Sequence, residues 1–300
     1  MILNDFKKKE ILRIDKPDPL RWGRERLREG GIDTPELDAE VLLAYVTGLS
    51  RAGLYRKKEL VLTEEEEARF IDLVERRLAG EPVAYLTGHK EFMGLDFVVN
   101  RSVLIPRPET ELMVETALKF LPGAPVIADV GTGSGAVAVS LAFFVKEAVV
   151  YATDISREAL AVARLNAARH GVEGRVHFCP GDLLEPLTGR VMPGSLDLIA
   201  ANLPYIATED LPGLPREVRL FEPPVALDGG PGGLALYRRL IPAAAGFLKQ
   251  GGIMLMEISP GQWAEMAGLL QPPQWEASLL KDLAGLDRLV LARFGGEAGY

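Results

Sequence analysis

The chain of 300 residues contains a single cysteine and three histidines, and it lacks a long apolar run. Cys179 by itself cannot form an intrachain disulfide, and the histidines at positions 89, 170 and 177 do not stand with it at the spacing of a zinc site. We therefore expect a cytoplasmic protein of a reducing compartment, without a bound metal. The longest apolar run, residues 136–145, is shorter than the about 20 residues of a membrane-spanning helix, so we expect no membrane association.

Positive charge is also scarce. The chain has 34 lysines and arginines against 42 aspartates and glutamates, for a formal net charge of -8. Because proteins that bind a phosphate backbone usually present a concentrated basic face, no direct nucleic-acid partner is expected. The 48% of hydrophobic residues is enough for a substantial core, and the length favours one large domain and one smaller domain.

Residues 1–84 have helical periodicity and predict a small helical domain. Thr63 with Glu66 is a capping-box pair ahead of an apolar stripe, and Gly48 and Gly80 stand where two helices would end. Residues 85–106 then change to the two-residue period of strands around Gly94, which predicts a β-hairpin linker.

The remaining residues, 107–300, alternate short apolar runs with helix-length intervals. Such runs are typical of strands that are buried on both faces of a parallel sheet. We place strands at residues 126–130, 149–153, 176–179, 196–200, 253–258, 275–280 and 287–294. No helical pattern separates the last two, so the prediction is an α/β, doubly wound, seven-stranded sheet with an antiparallel edge.

A glycine-rich turn follows the first strand of this sheet. It consists of Gly131, Thr132, Gly133, Ser134 and Gly135. Glycines let the backbone adopt positive φ and pass close to a ligand, and the next helix offers its free N–H groups. In an open parallel sheet the ligand lies beyond the carboxyl ends of the strands, so we predict a cofactor-binding loop here. A tight turn without a ligand is the alternative.

Acidic residues follow the next two strands. Asp154 ends the second strand, where a carboxylate can accept both hydroxyl protons of a ribose. Asp182, after the third strand, can accept the amino proton of an adenine while Leu183 covers a face of the ring. These residues predict a nucleoside cofactor, but a nicotinamide dinucleotide satisfies the same pattern, so an oxidoreductase remains an alternative at this point.

The end of the fourth strand favours methyl transfer. It carries Asn202, Leu203, Pro204 and Tyr205. A planar nitrogen is a poor nucleophile because its lone pair is delocalised, so it needs acceptors for its N–H groups. The Asn202 side-chain oxygen and the Leu203 carbonyl can accept them, Pro204 makes the turn rigid, and the ring of Tyr205 can lie against the planar group. A strand-end turn with a packed tyrosine is the alternative.

The chain resembles the protein-glutamine methyltransferases that modify peptide chain release factors, over most of its length. The most specific motifs are Leu-Ile-Pro-Arg-Pro-Glu-Thr-Glu at residues 104–111 and Asp-Leu-Ala-Gly-Leu-Asp-Arg at residues 282–288. Further similar positions are Glu81, Pro82, Tyr85, Gly88, Phe92, Gly94, Asp129, residues 182–186, residues 202–205, Glu222, Pro223, Ala226, Leu227, Gly229, Gly230, Tyr237 and Arg238. The resemblance implies a Rossmann-like class I methyltransferase fold with an N-terminal helical domain.

The resemblance also implies a cofactor, a substrate and their sites. S-adenosylmethionine would bind the glycine turn, Asp154, Asp182, Leu183 and Asn202, and residues 202–205 would hold the reacting amide. The substrate would be the glutamine of a Gly-Gly-Gln motif in a release factor. The helical domain would bind that release factor, and the reaction would take place close to the ribosome. Arg107 and Glu109 would either line the pocket or form a structural salt bridge.

Two positions depart from the family pattern: Leu203 replaces a proline and Ser259 replaces a glycine. Two alternatives therefore stay open beside the release factor enzyme and the oxidoreductase. One is a methyltransferase for adenine amines in RNA or DNA, and the other is a glutamine methyltransferase for a ribosomal protein.

Overall fold

The computed structural model describes residues 18–57 and 59–295, and the chain divides into two compact units, Met1–Thr87 and Gly88–Tyr300. Within the described residues, no helix combines the length and the apolar character needed to cross a membrane. The same residues contain no group of three or more histidine, cysteine, aspartate or glutamate side chains that could hold a metal ion.

The first unit is helical, as predicted. Its helices are α1 (Pro19–Glu29), α2 (Pro35–Thr47), α3 (Arg51–Arg56), α4 (Glu64–Leu78) and α5 (Val83–Thr87). The predicted capping box begins α4: the Glu66 N–H donates to the Thr63 hydroxyl, and the Thr63 N–H donates to the Glu66 carboxylate at 2.8 Å. Gly48 ends α2 with a left-handed φ of 67°. Apolar side chains from α1, α2 and α4, including Leu27 and Phe70, form the core of this unit.

The second unit begins with the predicted hairpin, β1 (His89–Phe92) and β2 (Leu95–Val98). Its sheet strands are β3 (Val126–Val130), β4 (Val149–Asp154), β5 (Val176–Pro180), β6 (Leu196–Ala201), β7 (Leu248–Glu257), β8 (Trp275–Lys281) and β9 (Asp287–Phe294). Its helices are α6 (Glu111–Phe120), α7 (Ala136–Phe144), α8 (Arg157–Arg169), α9 (Arg216–Phe221), α10 (Ala235–Ala244) and α11 (Trp263–Leu269).

The hairpin packs on the body of the second unit. Phe92 and Phe97 are buried in the same apolar cluster as side chains of α6 and α7. The Asn166 amide of α8 accepts the Val98 N–H at 2.7 Å and donates to the carbonyls of Val98 and Ser134. One buried side chain thus joins the hairpin, α8 and the glycine turn.

The seven-stranded sheet has the order β5-β4-β3-β6-β7-β9-β8, and all seven predicted strands are present. Strand β9 alone runs antiparallel to β7, and β8 pairs antiparallel with β9. The predicted antiparallel edge is therefore present, and the pair β9–β8 forms it. The burial pattern explains the order: β9 buries Leu289, Val290 and Ala292, whereas β8 carries exposed Glu276 and Ser278 on a strand with one free side.

Helices cover both faces of the sheet. Side chains of α6, α7 and α8 share one apolar cluster with alternate strand residues such as Ile127, and side chains of α10 and α11 share the other with residues such as Val130. In register, Val130 stands beside Thr153 on β4 and Ala201 on β6, and Ala201 stands beside Met256 on β7. The carboxyl ends of four strands therefore meet at one edge, and the chain changes direction across the sheet between β3 and β6.

Candidate functional site

A cavity of about 530 Å³ lies at this edge of the sheet. Its volume is in the range of sites for small organic molecules. The predicted site residues that line it are Gly131, Thr132, Gly133, Ser134, Asp154, Asp182, Leu183, Asn202, Leu203 and Pro204. Gly135 and Tyr205 are not among the lining residues in the described part of the chain. Tertiary structure thus brings the strand-end motifs together around one space.

The glycine turn needs its glycines for different reasons. Gly131, Gly133 and Gly135 all have left-handed φ, of 74°, 56° and 82°. A Cβ on Gly131 would lie 2.9 Å from Cδ2 of Leu203, so a side chain does not fit between the two strand ends. A Cβ on Gly135 would lie 3.1 Å from that of Ala163, which shows that this glycine permits close packing of α7 on α8.

Asp154 is tied to the glycine turn through its carboxylate. Its Oδ2 accepts the Gly133 N–H at 2.8 Å, and its Oδ1 accepts the Ser156 N–H at 2.9 Å. The Ile155 N–H also interacts with this carboxylate, which has about four acceptor positions and can therefore still accept a hydroxyl proton from a ligand in the cavity. Burial raises the pKa of this carboxyl group.

Asp129, near the end of β3, is a buried acid on the cavity wall, whereas Asp154 is half-buried. Its Oδ2 accepts the Thr132 hydroxyl at 2.6 Å and the Ala138 N–H at 3.0 Å, so it holds the glycine turn against the start of α7. Burial raises its pKa to about 6, because these hydrogen bonds only partly replace the lost hydration.

The Asp182 carboxylate pairs with the Arg239 guanidinium of α10, which also lines the cavity. Sequence reasoning missed Arg239, because an arginine on an amphipathic helix ordinarily lies on the face exposed to solvent. Leu183 follows with a φ of 46°, an uncommon value for a residue other than glycine. Strained backbone of this kind clusters at ligand sites.

Asn202 and Tyr205 are both linked to Glu257, the last residue of β7. The Asn202 Nδ2 donates to Thr110 Oγ1 at 3.0 Å, and that hydroxyl donates to Glu257 Oε2 at 2.7 Å. The Tyr205 hydroxyl donates to Glu257 Oε1 at 3.0 Å, and the Tyr205 carbonyl accepts from Gln262 Nε2 at 2.9 Å. Burial and the nearby Glu257 charge raise the pKa of Tyr205, so its hydroxyl keeps its proton.

Sequence reasoning missed the roles of Thr110 and Glu257. Thr110 ends a short 3-10 helix, Pro108–Thr110, before α6, and Glu257 closes a strand whose preceding four residues are all buried and apolar. A carboxylate that ends a strand of buried apolar residues is the sequence signal that could have identified Glu257. Its side chain is only 1% exposed, and burial raises its pKa.

Arg107 and Glu222 form an ion pair between two segments that line the cavity. Pro106 lies on the wall beside Arg107, and Pro223 lies there beside Glu222, whereas the two charged residues themselves are not among the described lining residues. The arrangement favours a structural salt bridge over a direct ligand contact for Arg107. Burial raises the pKa of Glu222, and the guanidinium opposes that effect.

Comparison with known proteins identifies the family. Residues 18–88 match the model of the PrmC N-terminal domain, and residues 123–259 match that of a methyltransferase domain. A release factor glutamine methyltransferase from Moorella thermoacetica is 48% identical over 271 residues, covering 89% of this chain and 94% of that protein. The release factor glutamine methyltransferase from Geobacter sulfurreducens is 43% identical over 289 residues, covering 96% of this chain and 99% of that protein.

A solved methyltransferase from Pyrococcus furiosus has the same fold, with a TM-score of 0.50 and 21% identity over 74% of this chain and 98% of its own. The predicted class I methyltransferase fold and the family resemblance are both confirmed. The chain belongs to the release factor glutamine methyltransferase family, and it is a methyltransferase.

Proposed function

We propose that this protein transfers a methyl group from S-adenosylmethionine to the side-chain amide nitrogen of the glutamine in a release factor Gly-Gly-Gln motif. The observation that carries the proposal is the amide of Asn202, held by Thr110 at the carboxyl end of β6 on the wall of the cavity. Membership of the family favours this reaction over hydride transfer to a nicotinamide and over methylation of an adenine amine.

The cavity residues fit the proposed cofactor. Gly133 borders open space, since a Cβ there would meet no atom within 4 Å, and the Asp154 carboxylate keeps acceptor capacity for a ribose hydroxyl. Leu183 and Asp182 lie on the same wall and would bind the adenine, with Arg239 sharing the Asp182 carboxylate. When bound, S-adenosylmethionine supplies an electrophilic methyl group.

The residues at the end of β6 would hold the glutamine. Its amide nitrogen becomes nucleophilic when both N–H groups point at acceptors, and the Asn202 side-chain oxygen and the Leu203 carbonyl are the proposed pair. Pro204 restricts the turn, so these acceptors are oriented before the substrate arrives. No strong base is needed, because an N-alkylated amide cation is acidic enough to lose its proton to water.

The side chain of Leu203 has a different role from its carbonyl, which is the proposed acceptor. Leu203 is 4% exposed and packs in the core of the sheet, and its N–H donates to the Tyr237 hydroxyl at 3.4 Å. We infer that leucine in place of proline keeps the turn in position by packing. The placement of the Tyr205 ring against the substrate amide stays a prediction.

We further infer that residues 1–84 recognise the release factor, that residues 85–106 connect the two domains, and that residues 107–300 carry the chemistry. The protein would act in the cytoplasm, where release factors work at the ribosome. These assignments rest on the family, whose N-terminal model matches residues 18–88.

A labelling experiment tests the proposed function. The full chain is incubated with S-adenosylmethionine labelled on its methyl group and a release factor, beside a release factor variant in which the Gly-Gly-Gln glutamine is alanine. We expect label in the first protein only, and mass spectrometry should place it on the glutamine amide. Equal labelling of the variant, or labelling only of ribosomal proteins or of RNA in a parallel sample, would reject the proposal.

A further inference from the structure

The amide of Asn202 has two ends of different chemistry, and a hydrogen-bond chain determines which one faces the cavity. The chain runs from Asn202 Nδ2 to Thr110 Oγ1 at 3.0 Å, and from Thr110 Oγ1 to Glu257 Oε2 at 2.7 Å. A threonine hydroxyl has one proton to donate. When the Glu257 carboxylate accepts that proton, the hydroxyl can only accept from Asn202, so the NH₂ end of the amide lies toward Thr110.

The carboxylate that starts this chain is itself held in place. Its other oxygen, Oε1, accepts the Tyr205 hydroxyl at 3.0 Å, and the Glu257 carbonyl accepts the Tyr237 hydroxyl at 2.6 Å. Tyr237 is fully buried. The orientation of Glu257 is therefore set by contacts from the segment before α6, from the turn after β6 and from α10.

We propose that Thr110 and Glu257 are positioning residues that hold the Asn202 amide with its oxygen, and not its nitrogen, toward the substrate. The proposal rests on the proposed function, in which the substrate offers N–H groups that only an oxygen can accept. Without Thr110, the Asn202 amide can turn over, and its NH₂ then meets the NH₂ of the glutamine with no acceptor between them. The substrate amide then adopts its reactive orientation less often, whereas the contacts with the cofactor are unchanged.

The test is a set of variants: Thr110→Val, which replaces the hydroxyl with a methyl group, Thr110→Ser, which keeps it, Asn202→Ala, and the Thr110→Val/Asn202→Ala double variant. We expect Asn202→Ala to lower kcat about 100-fold and Thr110→Val to lower it about tenfold. Thr110→Ser should restore most of the turnover. The KM for the release factor, and cofactor affinity by calorimetry, should stay within about twofold in the two single Thr110 variants.

The double variant separates positioning from a general structural role. If Thr110 acts through Asn202, Thr110→Val has no further effect on turnover once Asn202 is alanine. A loss of the same size in both backgrounds would overturn the proposal, and so would wild-type turnover in Thr110→Val.

A spectroscopic measurement keeps the test independent of the substrate and of how well the variants fold. The chain has four asparagines, Asn4, Asn100, Asn166 and Asn202, so ¹⁵N-asparagine labelling gives few side-chain NH₂ signals, and the Asn202→Ala spectrum identifies that of Asn202. In the wild-type protein we expect one of the two NH₂ protons, the one donated to Thr110 Oγ1, to be protected from exchange with water. Rapid exchange would refute the proposal even if the release factor is methylated. Protection without release factor methylation would reject only the proposed function.

Discussion

One residue at the carboxyl end of β3, Asp129, is both buried and charged at high pH, and these two properties oppose each other. Asp129 must hold the glycine turn through two hydrogen bonds to one oxygen, yet its carboxyl group is 2% exposed. Burial raises its pKa to about 6, from an ordinary value near 3.8. An acid whose pKa is raised by folding binds its proton more tightly in the native state. Its contribution to stability is therefore complete below about pH 4 and is lost as the pH rises through about 6.

We predict that Asp129→Asn abolishes this pH dependence, since an amide oxygen can accept the same two hydrogen bonds without a charge. Between pH 4 and pH 7 the free energy of unfolding of the wild type should fall relative to that of the variant, by about 2 kcal/mol. Urea unfolding at several pH values measures the difference. Asp210→Asn, at an exposed position in the same unit, is the matched control. Parallel profiles for wild type and Asp129→Asn would show that the carboxyl group is not perturbed.

At the scale of elements, the site depends on how closely the turns after β3 and β6 approach each other. Gly131 has a φ of 74°, and a Cβ there would lie 2.9 Å from Leu203 Cδ2. We predict that Gly131→Ala lowers the affinity for S-adenosylmethionine at least about tenfold and destabilises the fold by about 1 kcal/mol or more, because both the backbone and the neighbouring turn must shift.

Calorimetric titration and thermal unfolding check this prediction. Gly174→Ala is the matched control, because a Cβ at that position meets no atom within 4 Å. Unaltered cofactor affinity in Gly131→Ala would mean that the two turns are not coupled through this glycine.

The order of the last two strands also depends on how elements pair with one another. Their apolar runs predicted both strands, but not which one lies against β7. Pairing decides it, because β9 hydrogen-bonds on both sides and β8 on one. The start of β7 was also not predictable from its apolar run, which begins at Ile253. In the structure β7 begins at Leu248, because Leu248 pairs with Leu196. An irregularity in the pairing follows, and Gly251 and Gly252 accommodate it.

At the scale of the whole molecule, each of the two units has its own apolar core. We predict that residues 88–300 expressed alone fold and bind S-adenosylmethionine with the affinity of the full chain, but methylate a release factor with kcat/KM lower by about 100-fold, equivalent to ~3 kcal/mol of lost recognition. Calorimetry and the labelling assay measure the two quantities. An undiminished kcat/KM would show that the helical domain does not recognise the partner.

The sequence by itself determined the strands, their shared end and the chemical types found there. Apolar runs identify buried strands, and parallel strands place the residues that follow them at one edge, so the sequence predicts Gly131, Asp154 and Asn202 around one cavity. Local rules suffice for these residues because each lies next to the strand that positions it.

Only the tertiary structure decided how the side chains are paired. Thr110 and Glu257 are 147 positions apart, Thr110 and Asn202 are 92 apart, and Asp182 and Arg239 are 57 apart. A hydrogen bond needs donor and acceptor within about 3 Å, and no periodicity in the chain encodes a distance between elements so far apart in sequence. Strand order and helix packing supply that distance, and with it the orientation of the Asn202 amide.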